Sequence, residues 1–554
     1  MSMRPQEITP VPKETARVAR AANPKGNVYM SMRDELGSIY DDQMFAALFP
    51  RRGQPAEAPW RLALVTVMQY MEGLSDRQAA EAVRERISWK YALSLELTDP
   101  GFDFSLLSEF RARLLAGGAE AHLLHALLDL CKDRGWLKAR GRQRTDSTHV
   151  LAAIRDLNRL ECVGETLRHT LNVLAEVAPD WLLAQITPQW FERYSRRFDE
   201  YRFPKAQSER EALAEMIGTD GRHLLTAVYG PTAPAWLREL PAVETLRRVW
   251  VQQFFEEEGH CRWRRNDNIP PPSLLIASPY DPDAHLGVKR NKAWIGYKVH
   301  LTETGDDNTP HLIVHAETTA ATTPDWVMTE PIHRALAARE CLPRTPILDG
   351  GYVDGDALVT SQTTYGIELL GPVPLENSWQ AKAEQGFDLP HFHIKWEEQT
   401  VTCPVGKQSR SWTPVKDRFE QDAIYVKFDA ADCQTCPCRA DCTHAKRGPR
   451  GLTFRPEPLH LALQSARARQ STDEFREQYA VRAGIEGTLS QALRVSDLRQ
   501  ARYRGLPKTH LQHLLTATAL NVLRSVAWRV PPSLRGTQIS RFAALALTQE
   551  ELAA

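Results

Sequence analysis

The sequence predicts an α/β protein with a helical N-terminal domain, a large helical insertion and a cysteine-rich β insertion. Three observations support this class. Apolar residues recur at helical spacing before position 137, short apolar strands lie between positions 143 and 349, and five cysteines cluster between Cys403 and Cys442. At 554 residues the chain is too long for one ordinary core, so several domains are expected.

Two helical segments in the N-terminal region combine an apolar stripe with a basic free side. Ser75 is a good N-cap for a helix whose stripe contains Ala79, Ala80 and Val83, and the segment FSLLSEFRARLL repeats the design. Such helices suit docking on DNA. A helical protein-interaction domain fits the same pattern equally well.

The composition is that of a soluble globular protein, with 42% hydrophobic and 25% charged residues. The sequence has no stretch of bilayer-spanning length and no signal-peptide core at its start, so the cytoplasm is the expected location. Equal numbers of basic and acidic residues, 69 each, argue against a protein that coats nucleic acid indiscriminately. Local basic runs, one of them from Lys138 to Arg144, nevertheless predict phosphate contacts.

Three acidic residues lie in settings typical of a catalytic site. Asp146 lies within the predicted strand of TDSTHV, and Asp349 ends the apolar strand of PILDGG. Glu486 lies on a predicted helix that Ser471 and Glu474 open as a capping-box pair. Each residue alone is as easily a turn, cap or surface-pair residue. Their order along the chain, two strands and then a helix, makes the three together a stronger indication of a catalytic site than any one alone.

Tyr479, Arg482 and Glu486 are spaced three and then four residues apart, which predicts one shared helical face. A tyrosine, an arginine and a carboxylate make a poor core face but a suitable surface for phosphate and metal. Carboxylates and substrate phosphate oxygens together hold Mg²⁺, and two such ions promote in-line displacement at phosphorus. Gly484 and Gly487, which weaken a helix, predict a close approach by DNA or another chain.

Together these segments resemble the DDE transposases of bacterial insertion sequences, in the insertion sequence eleven-eighty-two branch, with an InsH-like N-terminal helical domain. The similarity covers most of the chain through LSDRQAAEAVRERI, TDSTHV, WIGYKVHLTET, ILDGGYVDGD and YAVRAGIEGTLSQALR. It implies a ribonuclease-H-like catalytic core, two Mg²⁺ or Mn²⁺ ions, and strand cleavage and transfer at the ends of a mobile element.

The resemblance also implies the roles of individual residues. The catalytic, metal-binding carboxylates are Asp146, Asp349 and Glu486. The candidates for contact with DNA phosphates are Tyr479, Arg482, Arg494, Arg502, Arg504 and Lys508. Related transposases often place a lysine seven positions after the glutamate; this chain has Leu493 there, and Arg494 is the candidate substitute. The implied partners are double-stranded DNA, as element ends and target, and a second copy of the chain in a homodimer acting at the nucleoid.

The cysteine cluster predicts a structural zinc site. Cys433 and Cys436 have the chelating spacing of tetrahedral zinc, and Cys403 and Cys442 complete four thiolates, with Cys438 as the alternative to Cys442. The odd total of nine cysteines fits a reducing compartment and metal binding rather than disulfides. Four thiolates leave no open coordination position, so the zinc is not expected to be catalytic.

The predicted function is a transposase that binds insertion-sequence ends and performs metal-dependent cleavage and joining. The alternatives are a domesticated DNA-binding protein that no longer cuts, and a nuclease of the same fold that cuts without joining. The predicted domains are a flexible arm (1–39), a helical DNA-binding domain (40–137), the first part of the catalytic core (138–154 and 263–369), a helical insertion (155–262), a cysteine-rich zinc insertion (370–457), the glutamate helix with the C-terminal helices (458–530), and a tail (531–554).

Overall fold

The computed structural model describes residues 2–3, 5–200, 203–289, 292–376, 378–418 and 420–529. The predicted tail at 531–554 lies outside the described residues. Within them the architecture is mixed α/β, as predicted, with one central sheet, several small sheets and many helices. None of the described helices combines the length and the apolar character needed to cross a membrane.

The helices between residues 40 and 137 lie where the sequence predicts them, and two further α-helices precede them. Ser75 caps its helix as expected, because its hydroxyl accepts from the Gln78 N–H and the Gln78 side chain accepts from the Ser75 N–H. The helix before it is buried on almost every side, since it is apolar around most of its circumference. The helices are α1 (Lys13–Ala22), α2 (Val28–Ser31), α3 (Pro59–Glu72), α4 (Asp76–Glu85), α5 (Ile87–Ala92), α6 (Ser105–Ala116) and α7 (His122–Asp133).

The segment 1–39 was predicted as a flexible arm, but its described residues from 5 onward fold onto the N-terminal helices. Tyr29, Met32 and Leu36 are buried in the main core, and the Thr15 hydroxyl donates to the Leu95 carbonyl at 2.8 Å. The physical reason is a short apolar stripe at spacings of three and four residues, which gives one helical face to bury. The polar and basic average composition of the segment hides this stripe.

The segment that follows the first strand of the central sheet, β1 (Gln143–Leu151), has a hydrophobic core of its own. It is mainly helical, as predicted, but it ends in a β-hairpin whose turn places Glu258 and Gly259 at positive φ. Its elements are α8 (Arg159–Val177), α9 (Pro179–Leu183), α10 (Pro188–Tyr194), α11 (Gln207–Tyr229), α12 (Pro241–Gln253), β2 (Phe254–Glu257) and β3 (His260–Trp263).

The central sheet combines β1 with four later strands, β4 (His285–Lys289), β5 (Lys292–Thr304), β6 (Ile313–Ala320) and β7 (Pro346–Leu348). β5 pairs antiparallel with β1 along the full length of β1, and β4 and β6 pair antiparallel with β5. β7 instead pairs parallel with β1, and Leu370 extends the sheet through a parallel bridge to Ile347. The predicted strands are confirmed, and the parallel pair places the end of β7 beside Thr145 of β1.

The cysteine-rich segment contains the predicted β-structure in two small antiparallel sheets, one of two strands and one of three, around a separate core. Two helices precede it, α13 (Thr329–Ala338) and α14 (Gly355–Tyr365). The segment itself consists of α15 (Trp379–Ala383), β8 (His393–Lys395), β9 (Thr400–Thr402), β10 (Ser411–Lys416), β11 (Asp422–Lys427), α16 (Ala430–Gln434), α17 (Arg439–Cys442) and β12 (Gly451–Phe454).

Four helices complete the described chain: α18 (Glu457–Gln470), α19 (Asp473–Ala480), α20 (Ala483–Ser496) and α21 (Leu506–Arg529). α21 is buried along most of its length and contacts α3, α7 and β6. The Asn521 side chain both donates to the Ile313 carbonyl and accepts from its N–H, at 2.8 Å each. The N-terminal helices, the sheet and the C-terminal helices therefore share one continuous core.

Candidate active site

Two of the predicted carboxylates follow directly from the parallel strand pair. Asp146 lies in β1, and Thr145 before it pairs with Leu348, the last residue of β7. Asp349 leaves the sheet one residue later, so its backbone lies next to that of Asp146. The Asp146 side chain is largely buried, whereas that of Asp349 is partly exposed.

The turn after β7 is fixed by hydrogen bonds of a buried tyrosine, Tyr352. The Tyr352 N–H donates to the Asp349 carbonyl at 2.9 Å, and the Tyr352 hydroxyl lies 2.5 Å from Nδ1 of His300 on β5. Gly351 lies beside a further carboxylate, since a Cβ on Gly351 would lie 3.4 Å from Asp325 Oδ2 and 3.8 Å from Asp349 Oδ2. Asp325 thus lies close to the site, and Lys298 pairs with it at 3.1 Å.

Glu486 lies in the first turn of α20, with its side chain 64% exposed. The prediction of one helix from Ser471 through Glu486 is wrong, because α19 ends at Ala480 and α20 begins at Ala483. Thr472, not Ser471, caps α19 by accepting from the Phe475 N–H.

The break between α19 and α20 has an identifiable cause. The Val481 carbonyl accepts from Arg144 of β1 at 2.7 Å, and also from the Gly484 N–H three residues on at 3.3 Å. An uninterrupted α-helix would instead satisfy it from the residue four positions later. Gly484 is explained by the same contact, since a Cβ there would lie 1.9 Å from Arg144 NH1.

Arg482 joins the three carboxylates into one cluster. Its guanidinium donates to Asp146 at 2.8 Å and to Glu486 at 3.2 Å, and it lies 3.8 Å from Asp349. Tyr479 belongs to α19 but still lies against this cluster, with its ring 5.9 Å from the guanidinium. The structure therefore brings together all the residues predicted for the triad and its two nearest helpers.

The electrostatics of the cluster reflect burial and mutual charge. Burial raises the pKa of Asp146, and the nearby Asp349 acts in the same direction; the Ser147 N–H and Arg482 oppose the rise. Burial alone would lower the pKa of Arg482, but Tyr479 and the two aspartates outweigh it, so the pKa is raised. Arg482 therefore stays charged and balances part of the negative charge.

The donor chemistry of the cluster suits a hard divalent cation, because all three side chains supply carboxylate oxygens. Their present contacts are to the guanidinium. Across the described ranges, no group of three or more His, Cys, Asp or Glu side chains is arranged closely enough to hold a metal ion.

Of the remaining basic residues predicted to bind phosphate, three are exposed and one, Arg502, packs against the N-terminal helices. Arg494 lies on α20 and lines a groove of about 820 Å³ together with Gly487. Arg504, just before α21, and Lys508, in the first turn of α21, are both exposed. Arg502 instead packs 4.8 Å from the Tyr70 ring and donates to a backbone carbonyl at the end of α3, which ties the C-terminal loop to the N-terminal helices.

Arg144, at the end of the basic run before Asp146, is not a surface residue as that prediction requires. Its side chain is 6% exposed and donates to Glu303 of β5 at 2.7 Å. Glu303 was not among the residues predicted for the site. The available signal was its position in β5, because Val299, Leu301 and Glu303 alternate on one strand face, where a charge must find partners.

The five clustered cysteines line one cavity of about 140 Å³ in the cysteine-rich segment. The sulfurs of Cys403 and Cys433 accept from backbone N–H groups of Lys407 and Arg450, at 3.3 and 3.5 Å. Burial raises the pKa of Cys442 to about 11, and Cys433, Cys403 and Cys436 act in the same direction. Cys403, Cys433, Cys436 and Cys442 therefore lie near one another. Among the described residues, however, no three of them are close enough together to hold a metal ion.

Two segments of the chain are similar to transposase family models. Residues 402–526 match the family model described as "Transposase DDE domain", and residues 18–113 match the model described as "Transposase domain (DUF772)". The first match includes Glu486 but neither Asp146 nor Asp349. Both matches support a DDE transposase of an insertion sequence, a class whose catalytic domain is in general ribonuclease-H-like. No curated protein and no solved structure matches the chain.

Proposed function

We propose that this protein is a transposase of the insertion sequence eleven-eighty-two branch that binds element ends and catalyses metal-dependent strand cleavage and strand transfer. The observation that carries this proposal is the convergence of Asp146, Asp349 and Glu486 on a single cation, Arg482. Carboxylates that face one another at this range repel unless a positive charge lies between them. Such an arrangement is costly in a purely structural role.

The sheet supports the ribonuclease-H-like interpretation. Asp146 lies within β1, Asp349 directly follows the parallel neighbour β7, and the glutamate lies on a helix that contacts β1. Three antiparallel strands and two parallel neighbours give a mixed sheet, with the candidate site where β7 ends beside β1. The helical segment and the cysteine-rich segment each pack around a hydrophobic core of their own, so neither need disturb this part of the central sheet.

Mg²⁺ or Mn²⁺ would be held by Asp146, Asp349 and Glu486 together with oxygens of the DNA phosphate. When bound, two such ions would activate the attacking oxygen and neutralise the leaving oxygen. These residues fit a divalent cation because they supply only carboxylate oxygens, and the three carboxylates already surround one positive charge, the Arg482 guanidinium.

The residues of the chain itself orient the phosphate. Arg482 presents a planar guanidinium that suits two phosphate oxygens at once, and Tyr479 adds a hydroxyl beside it. Arg494 and the groove along α20 extend this surface away from the site for the DNA backbone. We propose that Arg504 and Lys508, which are both exposed, contact flanking phosphates.

We assign end recognition to the N-terminal helices, where α4 exposes Arg77 and Arg84. The basic free side predicted for α6 is not formed, because the Arg111 side chain is 7% exposed and pairs with Asp76 at 2.6 Å. Two copies of the chain acting on two element ends form the homodimer that the resemblance implies.

The experiment that tests this function is cleavage and joining of a labelled duplex carrying the element end, with Mg²⁺ or with a chelator. We expect cut and joined products only with the metal. Cut products without joined products would establish the nuclease alternative. Specific binding without any cut product in Mg²⁺ or Mn²⁺ would establish the non-cutting DNA-binding protein.

We also propose that Cys403, Cys433, Cys436 and Cys442 bind one structural Zn²⁺. Four soft thiolates suit zinc, and backbone N–H groups that donate to two of the sulfurs stabilise thiolates. The apolar core of the segment is small, so a metal would contribute much of its folding free energy.

For zinc, we expect purified protein to contain about one ion per chain, and Cys433→Ser to lose it. Removal of zinc should lower the stability of segment 370–457, measured as faster hydrogen exchange there. Cys438→Ser should retain zinc and Cys442→Ser should not, which identifies the fourth ligand. A zinc-free protein whose exchange is unaffected by Cys433→Ser would refute the site.

A further inference from the structure

A buried carboxylate beneath the glutamate helix connects four elements of the core. The Glu303 side chain on β5 has no solvent exposure. It accepts from Arg144 of β1 at 2.7 Å, from Arg524 of α21 at 2.8 Å, and from the Thr488 hydroxyl of α20. These four residues, Glu303, Arg144, Arg524 and Thr488, are named the Glu303 cluster below.

The cluster holds α20 at its N-terminal end and in its middle. Before the helix begins, Arg144 donates to the Val481 carbonyl at 2.7 Å. Within the helix, Arg524 donates to the Thr488 hydroxyl at 2.6 Å and to the Gln491 side chain at 3.0 Å. α20 is therefore connected to the same buried carboxylate, Glu303, through Arg144 and through Arg524.

His311 adds a neutral partner to the cluster. Burial, and next the Arg144 charge, lower the pKa of His311. Its Nδ1 lies 3.2 Å from Arg144 NH2, and its backbone carbonyl accepts from Arg524 at 2.6 Å. The two guanidiniums are thus fixed on more than one side.

The apolar contacts of α20 define which face of the helix is buried, but they do not fix its rotation as closely as directional bonds do. Ile485, Leu489 and Ala492 are buried against the core, but apolar burial is not directional. Hydrogen bonds to charged groups are directional and strong. Thr488 and Glu486 are two residues apart, which places them about 200° apart around the helix. A rotation that breaks the Thr488 contact therefore moves the Glu486 carboxylate.

We propose that Glu303 is a positioning residue for the reaction: the Glu303 cluster sets the rotation of α20 and so holds Glu486 opposite Asp146 and Asp349. This inference rests on the proposed function. A buried ion cluster contributes little net stability compared with apolar packing, so a role in geometry accounts for its presence better than a role in stability.

The first test compares Thr488→Val with Thr488→Ser. Valine keeps the shape but removes the hydroxyl, whereas serine keeps it. With wild-type protein that cleaves, we expect the valine variant to cleave about tenfold more slowly on saturating end DNA. Its Mg²⁺ concentration for half-maximal rate should rise severalfold, while its Kd for end DNA changes less than twofold. The serine variant should behave like wild type.

The second test uses a matched pair of buried glutamates. Glu165, in the helical insertion, also has a buried side chain and pairs with an arginine, Arg168, and with a tyrosine hydroxyl. Glu303→Gln and Glu165→Gln should lower the thermal unfolding temperature to a similar extent. Only Glu303→Gln should change the Mg²⁺ dependence of cleavage.

Hydrogen exchange over residues 483–496 tests the inference independently of DNA cleavage. Exchange should be faster in Thr488→Val than in wild type or Thr488→Ser. Unchanged exchange in the valine variant would overturn the positioning role whether or not the protein cuts DNA. A wild-type protein that never cuts would instead refute the proposed function, and faster exchange in Thr488→Val would still support the helix contact.

Discussion

Glu486→Gln is expected to reduce strand cleavage and joining by about 1,000-fold or more, because loss of one metal-binding carboxylate removes several kcal/mol of transition-state stabilisation. The Glu486 side chain is mostly exposed and contacts Arg482 alone among the groups described here. Its loss should therefore leave the fold intact. The measurement is the rate of product formation on a labelled element-end duplex in Mg²⁺, with end binding measured separately by gel shift.

The matched control is Glu477→Gln on α19, which removes an exposed carboxylate of the same helical region away from the cluster. It should cleave at the wild-type rate. Asp146→Asn and Asp349→Asn should resemble Glu486→Gln. Cleavage by Glu486→Gln at a rate within tenfold of wild type would remove Glu486 from the triad.

Gly484→Ala is expected to lower the free energy of unfolding by about 2–4 kcal/mol, although alanine is the better helix former. The added Cβ would lie 1.9 Å from Arg144 NH1, and the guanidinium is fixed by Glu303 and the Val481 carbonyl. Moving it would leave a buried carboxylate with one partner fewer. The loss should appear in denaturant unfolding at pH 7.

Gly487→Ala, three residues along the same helix, provides the comparison. A Cβ at Gly487 meets no atom within 4 Å, so alanine should raise stability by up to about 1 kcal/mol. Opposite signs for the two substitutions would support the Arg144 contact. Equal stabilisation by both would show that Arg144 does not lie against Gly484.

Much of the site could be predicted from the chain alone because its signals are local. An aspartate within a strand, an aspartate after an apolar strand, and a glutamate beside Arg482 are visible as short patterns. The helix break at 481–482 was not visible, because it depends on Arg144, more than three hundred residues earlier in the chain. The cap prediction failed by one residue for an ordinary reason, since Ser471 and Thr472 are equally suitable caps.

Periodicity and near neighbours along the chain were enough to predict the α/β class, the strand that contains Asp146, the strand that Asp349 follows, and the candidate triad. Which charges are exposed and which are buried could be read only from the folded structure. Arg144 has the same basic character as Lys138 or Arg142 in the sequence, yet it is buried against Glu303. The physical reason is that the partner of a buried charge is chosen by strand register and helix packing, which bring together residues far apart in the chain.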